Sequence, residues 1–405
     1  MDLDGTVSVD HRVRALWQYV ERLDLSELYA QIRAVEGMAG RPAADPRVLL
    51  ALWLYATIEG VGSARALDRL TEEHDAYRWL RGGVPLNYHL LSDFRVEQDW
   101  LLSRILTQSV AALMSAGVVD LQRVAQDGMR VRASAGASSF RRGPTLLECL
   151  EDAEKQVEAL RKELEDDPAA TTRRQKAARE RAVEDRLKRV EAALAQLPEV
   201  EAKKDAKSKD KARVSTTDPD ARVMKMGDGG FRPAFNVQFA TDTVTQVIVG
   251  VDVDNEGSDQ NHMPPMIEQI KERYDQAPQE ILVDAGFTRL ADIEWVETVD
   301  KVTVYGPVSK PRDPNRDRYL PLPDDSETIA AWRQRMGTDA AKEIYKERAA
   351  TAECVNAAAR NRGFRQFLVR GKRKARAIAL WYALAHNLMR TLALCTTASA
   401  VPVAA

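Results

Sequence analysis

The chain has 405 residues, 44% of them apolar and 30% charged, with 59 Lys and Arg against 61 Asp and Glu. That length allows two or three domains and a sizeable core. No run of about 18 apolar residues exists, so no membrane span is expected; no basic-then-apolar leader is visible; and the scattered cysteines Cys149, Cys354 and Cys395 offer neither a disulfide framework nor a zinc spacing. A reduced, cytosolic protein is expected.

Residues 1 to 118 read as helices. Val13, Leu16, Trp17, Val20 and Leu23 recur at helical spacing. Asp45 and Pro46 suit the N-cap and first position of a second helix that runs to Glu59. Ser63 can cap a third through Leu70, and residues 76 to 80 form a short amphipathic piece closed by Gly82 and Gly83. Asn87 opens a last helix that continues through Trp100, Ile105 and Leu113 to Gly117. Small helices on Gly and Ser turns suit a helix-turn-helix type DNA reader. They suit a helical scaffold equally well.

The texture changes at residue 119. Residues 119 to 127 alternate like a strand that ends on Asp127 and Gly128. From 146 to 200, Leu150, Ala153, Val157, Leu160 and Leu164, then Val183, Leu187, Val190, Leu194 and Leu197, predict an antiparallel helical hairpin inserted in the domain. Residues 203 to 213 are low in complexity and expected to be mobile. Residues 235 to 240 and 244 to 253 form a hairpin around Thr241 to Thr243. A helix over 264 to 274 follows.

Then comes Ile281, Leu282, Val283, Asp284, Ala285 and Gly286. A short apolar run that ends in a carboxylate and turns on glycine predicts a buried strand of an α/β sheet. Sites in such sheets lie at the carboxyl ends of strands. A helix over 288 to 299 should follow, with Leu290, Ile293 and Val296 on one face, and then a strand over 302 to 306. A long helix over 340 to 361 carries Tyr345, Arg348 and Glu353, and a last helix covers 374 to 394, with residues 396 to 405 as a frayed tail. The layout is mixed α/β, with antiparallel strands first and parallel ones after. It fits an RNase H-like core over 119–395 with a helical hairpin and linker insertion at 146–212, preceded by an all-helical domain over 1–118.

In that layout Asp127, Asp284 and Glu353 fall on the first strand, the fourth strand and a late helix. Phosphodiester chemistry uses such a set: two Mg²⁺ ions about 3.5–4 Å apart activate an attacking oxygen and stabilise the leaving one. Mg²⁺ prefers a few carboxylates plus water and phosphate oxygens. Spacing alone leaves Asp252, Asp254 and Asp259 open as the second acid and Glu347 as the third.

Net charge near zero hides an uneven distribution. Residues 354 to 405 contain no Asp or Glu, yet carry Arg360, Arg362, Arg365, Arg370, Lys372, Arg373, Lys374, Arg376 and Arg390. Local charge of this kind is what a phosphate backbone meets.

Several segments together resemble bacterial insertion-sequence transposases with an acidic DDE triad, of the IS1182-like branch near the IS4/IS5 group. In the N-terminal part they are residues 40 to 46 (Gly-Arg-Pro-Ala-Ala-Asp-Pro), 49 to 55 (Leu-Leu-Ala-Leu-Trp-Leu-Tyr), 76 to 80 and 89 to 94. In the core they are Asp127-Gly128, residues 218 to 222, 229 to 238, 284 to 287, 349 to 356 and 360 to 363. The resemblance implies that Asp127, Asp284 and Glu353 bind two Mg²⁺ or Mn²⁺ ions. It implies that an N-terminal domain helps to recognise terminal inverted repeats, and that the 3′-OH ends are joined to target DNA. The partners expected are double-stranded DNA and a second copy pairing the element ends, in the bacterial cytoplasm at the nucleoid. Arg348, Arg360, Arg362, Lys372, Arg373, Lys374 and Arg376 are the expected phosphate contacts. The related helix motif has Tyr, two residues, Arg, three residues, Glu, six residues, then Lys or Arg. Tyr345, Arg348, Glu353 and Arg360 fit it except that four residues separate Arg348 from Glu353. An inactive DNA-binding descendant of a transposase and a host nuclease on the same core are the competing readings.

Overall fold

The computed structural model describes residues 3–32, 43–166, 172–311, 313 and 315–399. Parts of three expectations lie outside them: residues 40–42 of the first loop, 167–171 of the hairpin turn, and the tail beyond 399.

A ten-residue strand, β1 (Arg123–Arg132), runs through the middle of a six-stranded sheet. On one side it pairs antiparallel with β3 (Phe231–Asp242), with Asp127 opposite Phe239 and Gly128 opposite Gln238. The far edge of β3 takes β2 (Arg222–Lys225) along its first residues and β4 (Ile248–Asp254) along the rest, both antiparallel. On the other side of β1, β5 (Glu280–Leu282) and β6 (Thr303–Tyr305) run parallel to it. Antiparallel strands thus come first and parallel ones after, as expected. The first hairpin strand starts earlier than expected and the second starts later, at Ile248, so the turn covers residues 243 to 247, with Gln246 at φ 59°.

The alternation along β3 explains why it sits inside. Phe235, Val237 and Phe239 face one side and Asn236 and Gln238 the other, and all five are buried. Such a strand is satisfied only with elements on both faces. The apolar face is covered by α8 (Lys372–Ser399), where Phe239 packs against Tyr382. The polar face lies toward α5 (Met263–Tyr274), whose Met266 rests on Gly250 of β4.

The N-terminal helices join the same core. Asp45 Oδ1 accepts from Arg47 N at 2.8 Å, and Pro46 begins α1 (Pro46–Ile58), which is almost wholly buried. The single helix expected from Asn87 to Gly117 is two, Tyr88–Glu97 and α2 (Asp99–Ser115), because Gln98 leaves helical geometry at φ −103°, ψ 31°. The last helix, α8, starts before and ends after its expected bounds. Residues 375, 377 to 385 and 388 on it bury against α1, α2 and β4. Trp381 Nε1 donates to Arg95 O at 2.9 Å, and Asn387 makes two 2.8 Å bonds to the backbone of Ile248. One apolar cluster therefore crosses the junction at residues 118 and 119.

The insertion is the expected hairpin of α3 (Gly143–Asp166) and α4 (Arg173–Ala202). Bonds from Arg179 to Glu163 and from Arg186 to Gln156 fix its antiparallel sense. Ala153, Leu160 and Leu164 are buried on α3, and Val190, Ala193 and Leu197 on α4. Thr172 and Gln175 form a reciprocal capping box. The stretch expected to be mobile contains a short 3₁₀ helix, Ala206–Lys211, and Lys203 there reaches both Glu199 and Glu256 at 2.9 Å. Lys203 thus has two carboxylate partners, which composition alone does not reveal.

Candidate active site

Three elements converge at the middle of β1. Ladder pairing of β1 with β5 ends at Ala125 and Leu282. Two more residues in the same register set Asp284 level with Asp127. Regular pairing stops before Asp284, so the acid lies just past the strand instead of on its last residue. Its Oδ1 accepts from Gly286 N at 2.7 Å, which folds the chain into a tight turn. The following helix is shorter than expected, Leu290–Trp295, and passes into a π-turn at Val296–Asp300. Ile293 and Val296 are buried there, while Leu290 is exposed.

The third element is the long late helix, with a defect at its centre. α6 (Asp339–Arg348) leads into a π-turn, Ala349–Glu353, and then α7 (Cys354–Asn361). A π-turn closes i to i+5 and accommodates one residue more than an α-turn. The extra residue between Arg348 and Glu353 is taken up here.

Side chains of β1 and the late helix meet here. Arg348 lies 3.6 Å from Asp127 Oδ2 through Nη1 and donates to Glu353 Oε1 at 2.9 Å through Nη2. Asn356 Nδ2 donates to Asp127 Oδ2 at 3.0 Å, and Gly128 N donates to Oδ1 at 2.9 Å. Burial pushes the Asp127 carboxyl up to about 6; Arg348 pulls it down, and the charges of Asp284 and Asp259 add to the rise. The Tyr345 phenol is also raised, chiefly by burial, with Arg348 opposing and Asp284 and Asp127 adding to it. Asp127, Asp284, Arg348 and Tyr345 thus sense one another's charge. Glu353 is the exposed member, with 59% of its side chain accessible.

Asp259 lies behind this group. It is buried and accepts from Arg130 Nη2 at 2.8 Å, Asn236 Nδ2 at 2.8 Å and Gln238 Nε2 at 2.9 Å. Gly128 packs directly on its Oδ1, where a Cβ would collide. A Cβ on Gly286 would come within 3.2 Å of Asp259 Oδ2 and 2.9 Å of Asp284 Oδ1. Gly128 is therefore needed for close approach to the Asp259 carboxylate, and Gly286, two residues after Asp284, packs on the same carboxylate.

Asp252, Asp254 and Glu347 lie apart from the group. Asp252 and Asp254 are on β4, on the sheet face opposite Asp127, because they pair with Gln238 and Asn236. Glu347 is held by Arg123 Nη1 at 2.7 Å, and Arg123 also holds Glu280. The basic residues do not form one patch. Arg348 is in the carboxylate group. Arg360 is exposed, while Arg362 presses its backbone on Gly60. Lys372 lies 3.8 Å from Asp254 Oδ1, and Arg373 pairs with Asp99 at 2.9 Å. Lys374 is exposed beside Arg370 and Lys188, and Arg376 is half-buried beside Arg273. Asn356, which touches Asp127, is a contact that sequence reasoning misses. A signal for it exists, since it stands one turn after Glu353.

Asp127, Asp284 and Glu353 are an all-oxygen donor set of the kind Mg²⁺ and Mn²⁺ take. The guanidinium drawn between Asp127 and Glu353, and the charges of Asp284 and Asp259 felt at Asp127, mark a place where carboxylates gather, so the residues suit divalent cations. The three carboxylates are spread more widely than a single-ion cage: among the described residues, the three-ligand group with all ligand atoms within 4.8 Å of one another is Asp252, Asp254 and His262.

Residues 202–388 match the family model described as "Transposase DDE domain", and residues 1–97 match "Transposase domain (DUF772)". No curated protein and no solved structure matches the chain. Together the two matches support a DNA transposase. A DDE domain implies an RNase H-like core, and the sheet described above agrees with one. The DDE match includes Asp284 and Glu353 but begins after Asp127. No helix among the described residues is long and apolar enough to cross a membrane.

Proposed function

We propose that the chain is an insertion-sequence transposase of the IS1182-like branch, which cleaves DNA at terminal inverted repeats and joins the freed 3′-OH ends to target DNA. The observation that carries this reading is the Arg348 guanidinium reaching both Asp127 and Glu353, with Asp284 electrostatically coupled to Asp127. Asp127, Asp284 and Glu353 would hold two Mg²⁺ or Mn²⁺ ions, which when bound supply an activated attacking oxygen and charge stabilisation at the leaving oxygen.

The chain's own groups do the positioning. Gly128 N and Asn356 Nδ2 each grip one oxygen of Asp127 and set the plane of its carboxylate. Glu353, exposed and held by Arg348, can turn toward a bound phosphodiester. Arg348 then neutralises either the acids or a scissile phosphate, and Tyr345 lies within its field. Arg360, Arg362, Lys372, Arg373, Lys374 and Arg376 contribute phosphate contacts on the flanks. Two copies pair two element ends, and the work is done in the bacterial cytoplasm at the nucleoid. Residues 1–118 act as the end-recognition domain.

The experiment is end cleavage with Mg²⁺ or Mn²⁺ by Asp127→Ala, Asp284→Ala and Glu353→Ala variants, each made singly. Cleavage should vanish in all three while binding to end DNA persists. A variant that still cuts would remove its residue from the triad. Cutting without regard to inverted repeats and without strand transfer would make the protein a nuclease.

A further inference from the structure

We propose that Asp252, Asp254 and His262 form a second divalent-cation site, separate from the Asp127 group and of different donor chemistry. One ligand atom from each lies within 4.8 Å of those of the other two. The independent observation is His262 itself. It is 8% exposed, and its Nε2 is buried with no hydrogen-bond partner. A buried imidazole nitrogen left without a partner is costly unless something binds it.

The surroundings are polar in the same way. Register places Gln126, Gly128 and Arg130 of β1, Asn236 and Gln238 of β3, and Asp252 and Asp254 of β4 on one face of the sheet. Gln126 Oε1 and Asn236 Oδ1 on that face are also buried without partners. Gln126 Nε2 donates to His262 O at 3.0 Å and so fixes the backbone that presents the imidazole. The nearest competitor is Lys372, whose ammonium is 3.8 Å from Asp254 Oδ1 and half exposed. It can swing into solvent when a cation arrives. Asp254 Oδ1 also accepts from Asn255 N, which leaves Oδ2 for a ligand bond.

Two carboxylates and one imidazole favour a borderline cation such as Zn²⁺ over Mg²⁺. A cation here would tie the end of β4 to the start of α5. The seven residues between, 255 to 261, carry Asp259, the carboxylate on which Gly128 and Gly286 pack. The site would therefore steady the floor beneath Asp127 and Asp284 without touching DNA.

The test uses the full chain carrying Asp127→Asn and Glu353→Gln, which silence the first group. Zn²⁺ binding is measured by equilibrium dialysis, and Co²⁺ is titrated as a spectroscopic substitute. The expected result is one Zn²⁺ per chain, with the intense visible absorption of low-coordinate Co²⁺, and a rise in Tm on adding Zn²⁺. Adding His262→Gln or Asp252→Asn should weaken binding at least tenfold and abolish the Tm rise, with circular dichroism confirming the fold. If one of these variants does not fold, Asp254→Asn takes its place. Failure of the silenced chain to bind Zn²⁺, or equal binding after the His262 and Asp252 changes, would overturn the proposal.

Discussion

Arg348 and Glu353 are five residues apart, and their side chains meet at 2.9 Å. On an α-helix, residues three and four apart share a face, and residues five apart do not. The π-turn over Ala349–Glu353 removes the conflict by adding one residue to that turn. The first prediction follows from it. Deleting Ala350, which is exposed, should convert the π-turn to an α-turn and keep both side chains on one face. Folding should persist, with end cleavage retained within about tenfold. Inserting a second alanine at the same place should separate the pair and abolish cleavage. Equal activity in the insertion variant would show that the pair is irrelevant.

Asn356 orients Asp127 from behind. Asn356→Ala should leave the fold and DNA binding intact but lower cleavage by about 10–100-fold, the range for partners that orient metal-binding groups. Asn356→Asp would place a second carboxylate against Asp127 and should be worse. Single-turnover cleavage at saturating DNA separates this effect from weakened binding.

Glycine substitutions report the packing on Asp259. Gly128→Ala would drive its methyl into Asp259 Oδ1, with Gln238 Nε2 at 2.6 Å and Asn236 Oδ1 at 2.9 Å, and that carboxylate oxygen is itself held by bonds from Gln238 Nε2 and Asn236 Nδ2. A loss of at least about 3 kcal/mol is expected, the upper range for overpacking. Gly250→Ala meets the flexible end of Met266 and should cost less, about 1–2 kcal/mol. Urea denaturation of the two variants gives the order; the reverse order would refute the account.

Asp218 gives a pH test away from the carboxylate group. It is fully buried and accepts from Gly371 N, just before α8, at 3.1 Å, while its Oδ2 has no partner. Burial pushes its carboxyl from 3.8 up to about 6. Between those values the folded chain keeps a proton that the unfolded chain has lost. This group's contribution to stability is therefore complete below pH 3.8 and falls as pH rises through 6. Asp218→Asn should stabilise the protein at pH 8 by up to about 3 kcal/mol and change little at pH 4. No difference between the two pH values in paired denaturation curves would exclude the buried charge.

Among the basic residues, those already paired should matter less to DNA. Lys374 and Arg360 are exposed and have no ion pair among the described residues, whereas Arg373 pairs with Asp99. Lys374→Ala and Arg360→Ala should each reduce the slope of log affinity against log salt by about 1, and Arg373→Ala by less. A uniform effect of all three would argue for a diffuse field.

The sequence by itself located the helical and strand regions, though not all their boundaries, because apolar periodicity, N-caps such as Asp45, Ser63 and Asn87, and glycine turns are local signals. It also offered Asp127, Asp284 and Glu353 as the candidate acids, through resemblance more than through spacing. Tertiary structure decided what spacing left open. Strand register put Asp252 and Asp254 on the opposite face from Asp127, since side chains alternate along a strand. A salt bridge to Arg123 occupied Glu347, and three donors closed around Asp259. The π-turn, the contact of Asn356 with Asp127, and the joining of the N-terminal helices to the core through α8 depend on partners far along the chain. A local pattern fixes which way a side chain faces on its own element, and only packing fixes what it meets there.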